Sequence, residues 1–281
     1  MHPALASGNV ALVSGGASGI GLAAAKRFAG LGMSVCIVDL GDERLAEARE
    51  AVADEAAEGA EVAAFEVNVA RLEAVARIEE DIRARFGGVD VLMNNAGVQP
   101  GSDVFGPRQN WQHVIDVNLW GIVNVAQTFV PAMIERGREG LVINTGSKQG
   151  ITTPPGDPAY NVAKAGVKAF SEALQHDLRN REGCRVEARM LIPGFVFTPL
   201  TRPGESEKPD AAWTPEQTID FMFERLDADD FYILCPDNDV TRRLDERRIL
   251  WAAGDIAENR PPLSRWHPDY AAAFDAFVDE G

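Results

Sequence analysis

The sequence predicts an α/β protein built on one doubly wound, seven-stranded and mostly parallel sheet flanked by helices. Three observations predict it. From Asn9 onward, short apolar β-branched runs alternate with longer segments of helical period. A glycine cluster follows the first run and opens a helix, and an acidic residue ends the second run. In order, the expected strands are Val10 to Ser14, Ser34 to Asp39, Glu61 to Asn68, Val89 to Asn94, Leu141 to Thr145, Val186 to Leu191 and Phe231 to Leu234. A helix opens at Leu22, and amphipathic stretches follow at Leu45 to Glu58, Leu72 to Phe86, Trp111 to Glu135 and Ala159 to Asn180. Each is long enough to carry the chain back to the starting edge of a parallel sheet.

Two regions break the alternation. Pro199 to Pro215 is rich in Pro, Gly and charge, which reads as a surface loop serving as a substrate lid that runs to about residue 226. Residues 238–281 carry a charged helical run, TRRLDERRILWAAG, then a Pro-rich segment, and are expected to extend a main domain of residues 1–237. That extension is too short for a separate domain and should pack on the same domain or on a neighbouring subunit.

The chain has 281 residues, 46% of them apolar, and 27 basic against 43 acidic residues give a net charge of −16. Such an acidic balance repels phosphate backbones and anionic membranes, so nucleic-acid and lipid-surface partners are not expected. Cys36, Cys184 and Cys235 lie far apart and lack metal-type spacing, so no metal site is expected and a reducing, cytoplasmic setting is. No signal peptide or run of 18 apolar residues is visible.

Gly15, Gly19 and Gly21 stand where the first strand must turn tightly into a helix whose free backbone N–H groups can face a pyrophosphate. Asp39 ends the second strand, where its carboxylate can accept hydrogen bonds from both adenosine ribose hydroxyls. A phosphate on the 2′ oxygen would face that carboxylate. Two such charges about 4 Å apart repel by about 4 kcal/mol at an effective dielectric near 20, which favours NAD over NADP by orders of magnitude. No Arg or Lys lies between Ser14 and Leu22, or at Leu40 and Gly41, to offset this.

Tyr160 and Lys164, four apart near a predicted helix start, project from one face. Bringing a tyrosine of pKa about 10 halfway to ionisation at pH 7 takes roughly 4 kcal/mol, which a lysine cation and a positively charged nicotinamide ring can together supply. Ser147 follows the fifth strand at its carboxyl end, where open α/β sheets bind ligands. Asn118 is a polar residue on an apolar helical face, a cost unless it holds water or backbone. Asn94-Asn95-Ala96-Gly97 ends the fourth strand with two amides beside the expected adenosine. Pro193-Gly194-Phe195-Val196-Phe197-Thr198 ends the sixth, with a hydroxyl and free backbone groups near the expected nicotinamide amide.

Together these motifs resemble the short-chain dehydrogenase/reductase family over about residues 9–198. The resemblance implies a Rossmann-type fold and a catalytic tetrad of Asn118, Ser147, Tyr160 and Lys164. Tyr is the acid/base, Lys also binds the nicotinamide ribose, Ser orients the substrate oxygen, and Asn holds a helix kink and a relay water. It further implies cofactor contacts at Gly15, Ser18, Gly19, Ile20, Gly21, Asp39, Asn68, Val69, Asn95, Ala96, Gly97, Tyr160, Lys164, Pro193, Gly194, Val196 and Thr198.

The chain departs from the family pattern in three places. Asn68 stands where an Asp commonly meets the adenine amine, Gly146 replaces a small hydroxyl residue, and Phe231 to Asp237 lacks the usual Asp-Gly-Gly ending. The substrate pocket is expected from Gln99, Pro100, Lys148, Gln149, Pro154, Pro155, Phe195 and Trp213, with Lys148 and Arg202 as candidate anion contacts. Its Phe, Trp and Pro content favours an apolar or aromatic-bearing secondary alcohol or ketone.

The expected activity is NAD-dependent interconversion of such an alcohol and ketone, by a homodimer or homotetramer paired through the long helices. Two alternatives stand beside it. One is a catalytically idle dinucleotide-binding regulator, which requires an obstructed pocket and would be supported by a buried Trp213 or Trp266 filling the substrate space. The other is a nucleotide-sugar epimerase or dehydratase, against which the wider glycine spacing counts.

Overall fold

In the computed structural model, which describes residues 1–279, seven parallel strands form one sheet in the order β3-β2-β1-β4-β5-β6-β7. The strands are β1 (Val10–Ser14), β2 (Ser34–Asp39), β3 (Val62–Glu66), β4 (Val91–Asn94), β5 (Gly140–Thr145), β6 (Val186–Ile192) and β7 (Tyr232–Leu234). Between them lie α1 (Gly19–Gly30), α2 (Asp42–Ala53), α3 (Leu72–Phe86), α4 (Arg108–Ile115), α5 (Gly121–Glu135), α6 (Gln149–Thr152), α7 (Pro158–Asn180) and α8 (Pro215–Asp227). The tail adds α9 (Arg242–Ala257) and α10 (Ala271–Asp279).

The strands are apolar throughout because both faces are covered, and successive residues enter opposite cores. Ala11, Val13, Val35 and Ile37 pack on the side of α1, α2 and α8. Val10, Leu12, Cys36 and Val38 pack on the side of α3 and α5. Connections wind one way from β1 to β3 and the other way from β4 onward, so the crevice at the carboxyl ends of β1 and β4 is the topological switch point.

The structure departs from sequence expectation in three elements. Residues 215–226, expected as the second half of a lid, form α8, which buries Ile219, Met222, Phe223 and Leu226 against the α1 side of the sheet. Thr214 and Gln217 close a reciprocal capping box at its start, worth about 1 kcal/mol. The helix expected over residues 111–135 starts at Arg108 and is interrupted by one π turn, Asp116–Trp120. This rod is long and apolar enough to cross a membrane, yet over half of its apolar window is buried inside the protein. The strands expected from Glu61 and Val89 are shorter, because only Val62–Glu66 and Val91–Asn94 find neighbours to pair with.

The tail folds back on the domain. Trp251 of α9 is buried, donates from Nε1 to Ser264 Oγ at 2.8 Å, and meets the Phe274 and Phe277 rings at 5.4 and 5.3 Å. Asp245 of α9 reaches Lys148, just after β5, at 2.6 Å.

Candidate active site

Ser14, the last residue of β1, accepts hydrogen bonds at Oγ from the backbone N–H of Asn95 (3.1 Å) and Ala96 (3.3 Å), so the ends of β1 and β4 are stitched together. The glycines then allow three segments to touch. Gly15 has φ +66°, and a Cβ there would stand 2.7 Å from Ala96 Cα. A Cβ at Gly21 would meet the Gly15 carbonyl and Asn95 Nδ2, and one at Gly19 (φ +52°) would stand 2.9 Å from Thr198 Cγ2. No other residue type fits this cradle. Ser18, at the N-cap of α1, makes no side-chain cap, and α1 has no acid in its first turn. Ser18, Gly19 and Ile20 therefore present a helix N-terminus to the adjoining cleft.

That cleft measures about 750 Å³ and runs along the carboxyl ends of the strands, within the range of about 300–1,000 Å³ usual for ligand sites. At one end lies Asp39, whose Oδ2 accepts from Ala17 N at 3.0 Å and whose Oδ1 accepts from Leu40 N at 2.8 Å. Asn68 and Val69 line the same end; Asn68 Oδ1 already accepts from Ala70 N at 2.9 Å, which makes a local turn. Arg44 also lines it, with Nη2 3.3 Å from Asp39 Oδ1 and 2.6 Å from the Leu40 carbonyl. The glycine turn and positions 40 and 41 hold no basic residue, but one turn of α2 carries the Arg44 side chain back beside Asp39.

At the other end, Ser147, Tyr160 and Lys164 converge. α7 starts at Pro158, which fits a first-turn position because it needs no N–H partner there, so Tyr160 and Lys164 rise from its first turns onto one face. Lys164 Nζ lies 5.7 Å from the Tyr160 ring centroid and donates to the Thr145 carbonyl at 2.8 Å. The Ser147 hydroxyl neighbours the Tyr160 phenol and draws its pKa down, while its Oγ accepts from Gln149 N at 3.1 Å. Burial pushes Tyr160 up to about 12, only partly opposed by Ser147, and burial alone brings Lys164 down to about 8. Desolvation prevails over Ser147, and the lysine cation expected to acidify the phenol is not among the groups that shift it.

Asn118 sits within the π turn and stands behind the cleft, fully buried, with both ends of its amide on one backbone unit. Its Oδ1 accepts from Val98 N at 2.7 Å and its Nδ2 donates to Val98 O at 2.8 Å. The extra π-turn residue thus turns a polar side chain inward to pin the segment after β4, which answers the cost that the sequence raised.

Asn95, Ala96, Gly97, Gly194, Val196, Thr198, Gln99, Gln149 and Phe195 line the cleft, as does Pro193. Gly21 underlies it. Trp213 and Pro155 do not line it. Trp213 turns away to pack edge-on against Phe221 at 5.7 Å, while its backbone bonds Phe195 and Phe197. Arg44, His113, Leu200, Asp237, Val240 and Arg248 line it without having been singled out in the sequence. Most come from elements whose placement depends on the tertiary fold.

Gly150, in α6, offers a test of how tightly the reacting end is held. A Cβ there would strike the backbone of α7 at Lys164 and stand 2.8 Å from Ala165 N. Gly150→Ala is expected to lower kcat at least tenfold, with a thermal transition only a few degrees lower, because displacements below 1 Å at a reacting group carry large rate costs. Steady-state kinetics beside a melting curve checks it.

The comparisons with known proteins bear on the same residues. The family model for short chain dehydrogenases matches residues 9–209. The chain is 33% identical over 265 residues to a 1-deoxy-11-beta-hydroxypentalenate dehydrogenase of Streptomyces exfoliatus, covering 91% of this chain and 93% of that one. It is 34% identical over 197 residues to a 3-oxoacyl-acyl-carrier-protein reductase of Thermotoga maritima, covering 69% of this chain and 76% of that one. Among solved structures, a short-chain dehydrogenase/reductase from Burkholderia phymatum in complex with NAD aligns with a TM-score of 0.80 at 28% identity, covering 91% and 96% of the two chains. A glycine cradle, a converging Ser, Tyr and Lys, and a family match across residues 9–209 agree: this chain belongs to the short-chain dehydrogenase/reductase family, oxidoreductases that act on hydroxyl and keto groups with a nicotinamide dinucleotide.

Proposed function

We propose that the protein is an NAD(H)-dependent dehydrogenase that interconverts a secondary alcohol and its ketone. The observation that carries this reading is the convergence of Ser147, Tyr160 and Lys164 in the same cleft as the glycine cradle and Asp39. The Gly15, Gly19 and Gly21 backbone and the α1 N-terminus would hold the pyrophosphate, Asp39 the adenosine ribose, and Lys164 the nicotinamide ribose. Asn68, Val69, Asn95, Ala96 and Gly97 would flank the adenosine half, and Pro193, Gly194, Val196 and Thr198 the nicotinamide half. When bound, the nicotinamide supplies a hydride acceptor or donor.

The chain's own residues handle the proton. In oxidation, the Tyr160 oxygen takes the proton of the substrate hydroxyl; in reduction, it returns one to the ketone oxygen. Lys164, with its pKa near 8, is largely an ammonium at pH 7 and favours the phenolate that this exchange requires. The Ser147 hydroxyl fixes the substrate oxygen beside Tyr160. Asn118 acts through Val98, holding the floor of the cleft in place. The substrate end is bordered by Phe195, Pro203, Leu200 and Val240, which suits a largely apolar skeleton.

The idle-regulator alternative loses its support, since Trp213 packs away from the cleft and Trp266 is 39% exposed and absent from its lining. Exposed Trp120 and Val162, on the rod that includes α5 and on α7, are apolar surface suited to a dimer or tetramer, and three free cysteines suit a cytoplasmic setting.

The cofactor preference follows from Asp39 but is moderated by Arg44, whose guanidinium already offsets part of that carboxylate's charge. Fluorescence titration of the protein with NADH and with NADPH tests it. NADH should bind at least tenfold more tightly. Asp39→Ser should narrow the difference to a few-fold, because Arg44 is then released toward a 2′ phosphate. Tighter binding of NADPH by the unaltered protein would overturn the role of Asp39.

A further inference from the structure

The sequence offered Lys148 and Arg202 as candidate anion contacts at the substrate end, and the structure occupies both. Lys148 Nζ lies between two buried carboxylates, 3.2 Å from Asp237 and 2.6 Å from Asp245. Gly194 makes room for this cluster, since a Cβ there would stand 2.7 Å from Lys148 Nζ. Arg202 pairs with Glu205 at 3.3 Å and stacks on Phe195. Lys148 is thereby engaged on two sides, and Arg202 stands outside the cleft lining.

Arg248 is different. It stands on α9 one turn beyond Asp245, lines the cleft with Asp237 and Val240, and is partly buried. Its buried Nε has no hydrogen-bond partner among the described residues. A buried donor left without an acceptor is a standing cost; Arg189, Arg225 and Arg247 also carry unpartnered Nε atoms, but of the four only Arg248 lines the cleft. The surrounding charge does not satisfy it: Lys148, Arg248 and the neighbouring Arg265 are three cations against the two carboxylates Asp237 and Asp245. In a chain of net charge −16 this is a local excess of positive charge, placed where the cleft meets the tail.

We infer that Arg248 is a specificity-determining residue that receives a carboxylate carried by the substrate, distant from the carbon that reacts. The reading rests on the proposed alcohol–ketone chemistry and names its substrate class: an apolar-bodied hydroxy acid and the corresponding keto acid. The guanidinium fork matches a carboxylate with two parallel N–H groups, which a point charge such as Lys148 does not. It also gives the tail a function. α9 is anchored by Trp251 against Ser264, Phe274 and Phe277, and so carries Arg248 on a rigid support rather than on a mobile loop.

The test compares cyclohexanecarboxylate with the neutral cyclohexanecarboxamide as probes of the full chain saturated with NADH, in a buffer free of phosphate. Binding is followed on the probes' own NMR signals, so the outcome does not depend on turnover. The unaltered protein should bind the carboxylate at least tenfold more tightly than the amide. That ratio should fall to about one in Arg248→Met and be partly kept in Arg248→Lys, which retains the charge and guards against a folding artefact. Equal binding of the two probes by the unaltered protein, or a ratio that survives in Arg248→Met, overturns the proposal. Turnover of secondary alcohols, neutral ones and hydroxy acids alike, is measured separately on the same samples. A carboxylate preference that depends on Arg248 in a protein that oxidises no alcohol would uphold the anion site and overturn the dehydrogenase reading.

Discussion

Tyr160→Phe is expected to lower kcat by two to four orders of magnitude in both directions, the span usual for removal of a positioned acid/base. NADH affinity and substrate KM should change little, because the ring remains and only the proton-carrying oxygen is lost. Tyr160 is 7% exposed and only its hydroxyl is lost, so the melting temperature should move by no more than a few degrees. Steady-state rates in both directions, with an NADH titration on the same sample, check this. Full turnover by the Phe variant would place proton transfer elsewhere.

Lys164→Met is expected to abolish measurable turnover and at the same time to raise the melting temperature at pH 7. Lys164 is 3% exposed, and its only hydrogen bond among the described residues is to the Thr145 carbonyl. Burial brings its pKa from 10.5 to about 8, which amounts to roughly 3 kcal/mol of cost to the folded state while the group is charged. Between pH 8 and 10.5 the unfolded chain holds a proton that the folded one has released. The cost is therefore full below pH 8, and stability rises as pH climbs through that interval. Met has similar length and no charge, so it removes this cost, less about 1 kcal/mol for leaving the Thr145 carbonyl unpaired. A net gain of about 2 kcal/mol corresponds to a few degrees for a chain of this size. The rise in stability from pH 8 toward pH 10 should vanish in the variant. Thermal melts across pH, with activity measured beside them, read both effects; a lower melting temperature at pH 7 would show that the buried ammonium stabilises the fold.

The parts of this protein that were legible in its sequence are those set by local geometry. A strand running into Gly15, Gly19 and Gly21 and then a helix can be seen from spacing alone, because the tight turn that positive φ at Gly15 and Gly19 allows is local, even though its close contacts reach Ala96 and Thr198. Tyr160 and Lys164 were legible because a helix fixes where residues four apart point.

What escaped depends on contacts far along the chain. Arg248 reaches the cleft only after α9 has docked, and no periodicity reports that, whereas Arg44 returns to Asp39 through one local turn of α2. The π turn at Asp116–Trp120 adds a residue to a helix whose apolar pattern otherwise continues, so the sequence reads as one unbroken rod. α8 was hidden differently. The Pro-, Gly- and charge-rich stretch before it drew the reading toward a lid, although Thr214, Pro215 and Gln217 mark a helix start and Ile219, Met222, Phe223 and Leu226 recur at helical spacing. Trp213 was assigned to the substrate pocket on composition, whereas its side chain packs edge-on against Phe221 of that same helix.

In the proposed function, this cleft joins a nicotinamide dinucleotide to proton transfer at Tyr160. The most direct test is the rate of cofactor reduction by the purified chain across a panel of secondary alcohols at pH 9, with NAD and NADP side by side and hydroxy acids included. Reduction of NAD with at least one alcohol is expected, at least tenfold faster than with NADP. Tight binding of NADH with no turnover across the panel, or faster turnover with NADP, would contradict it.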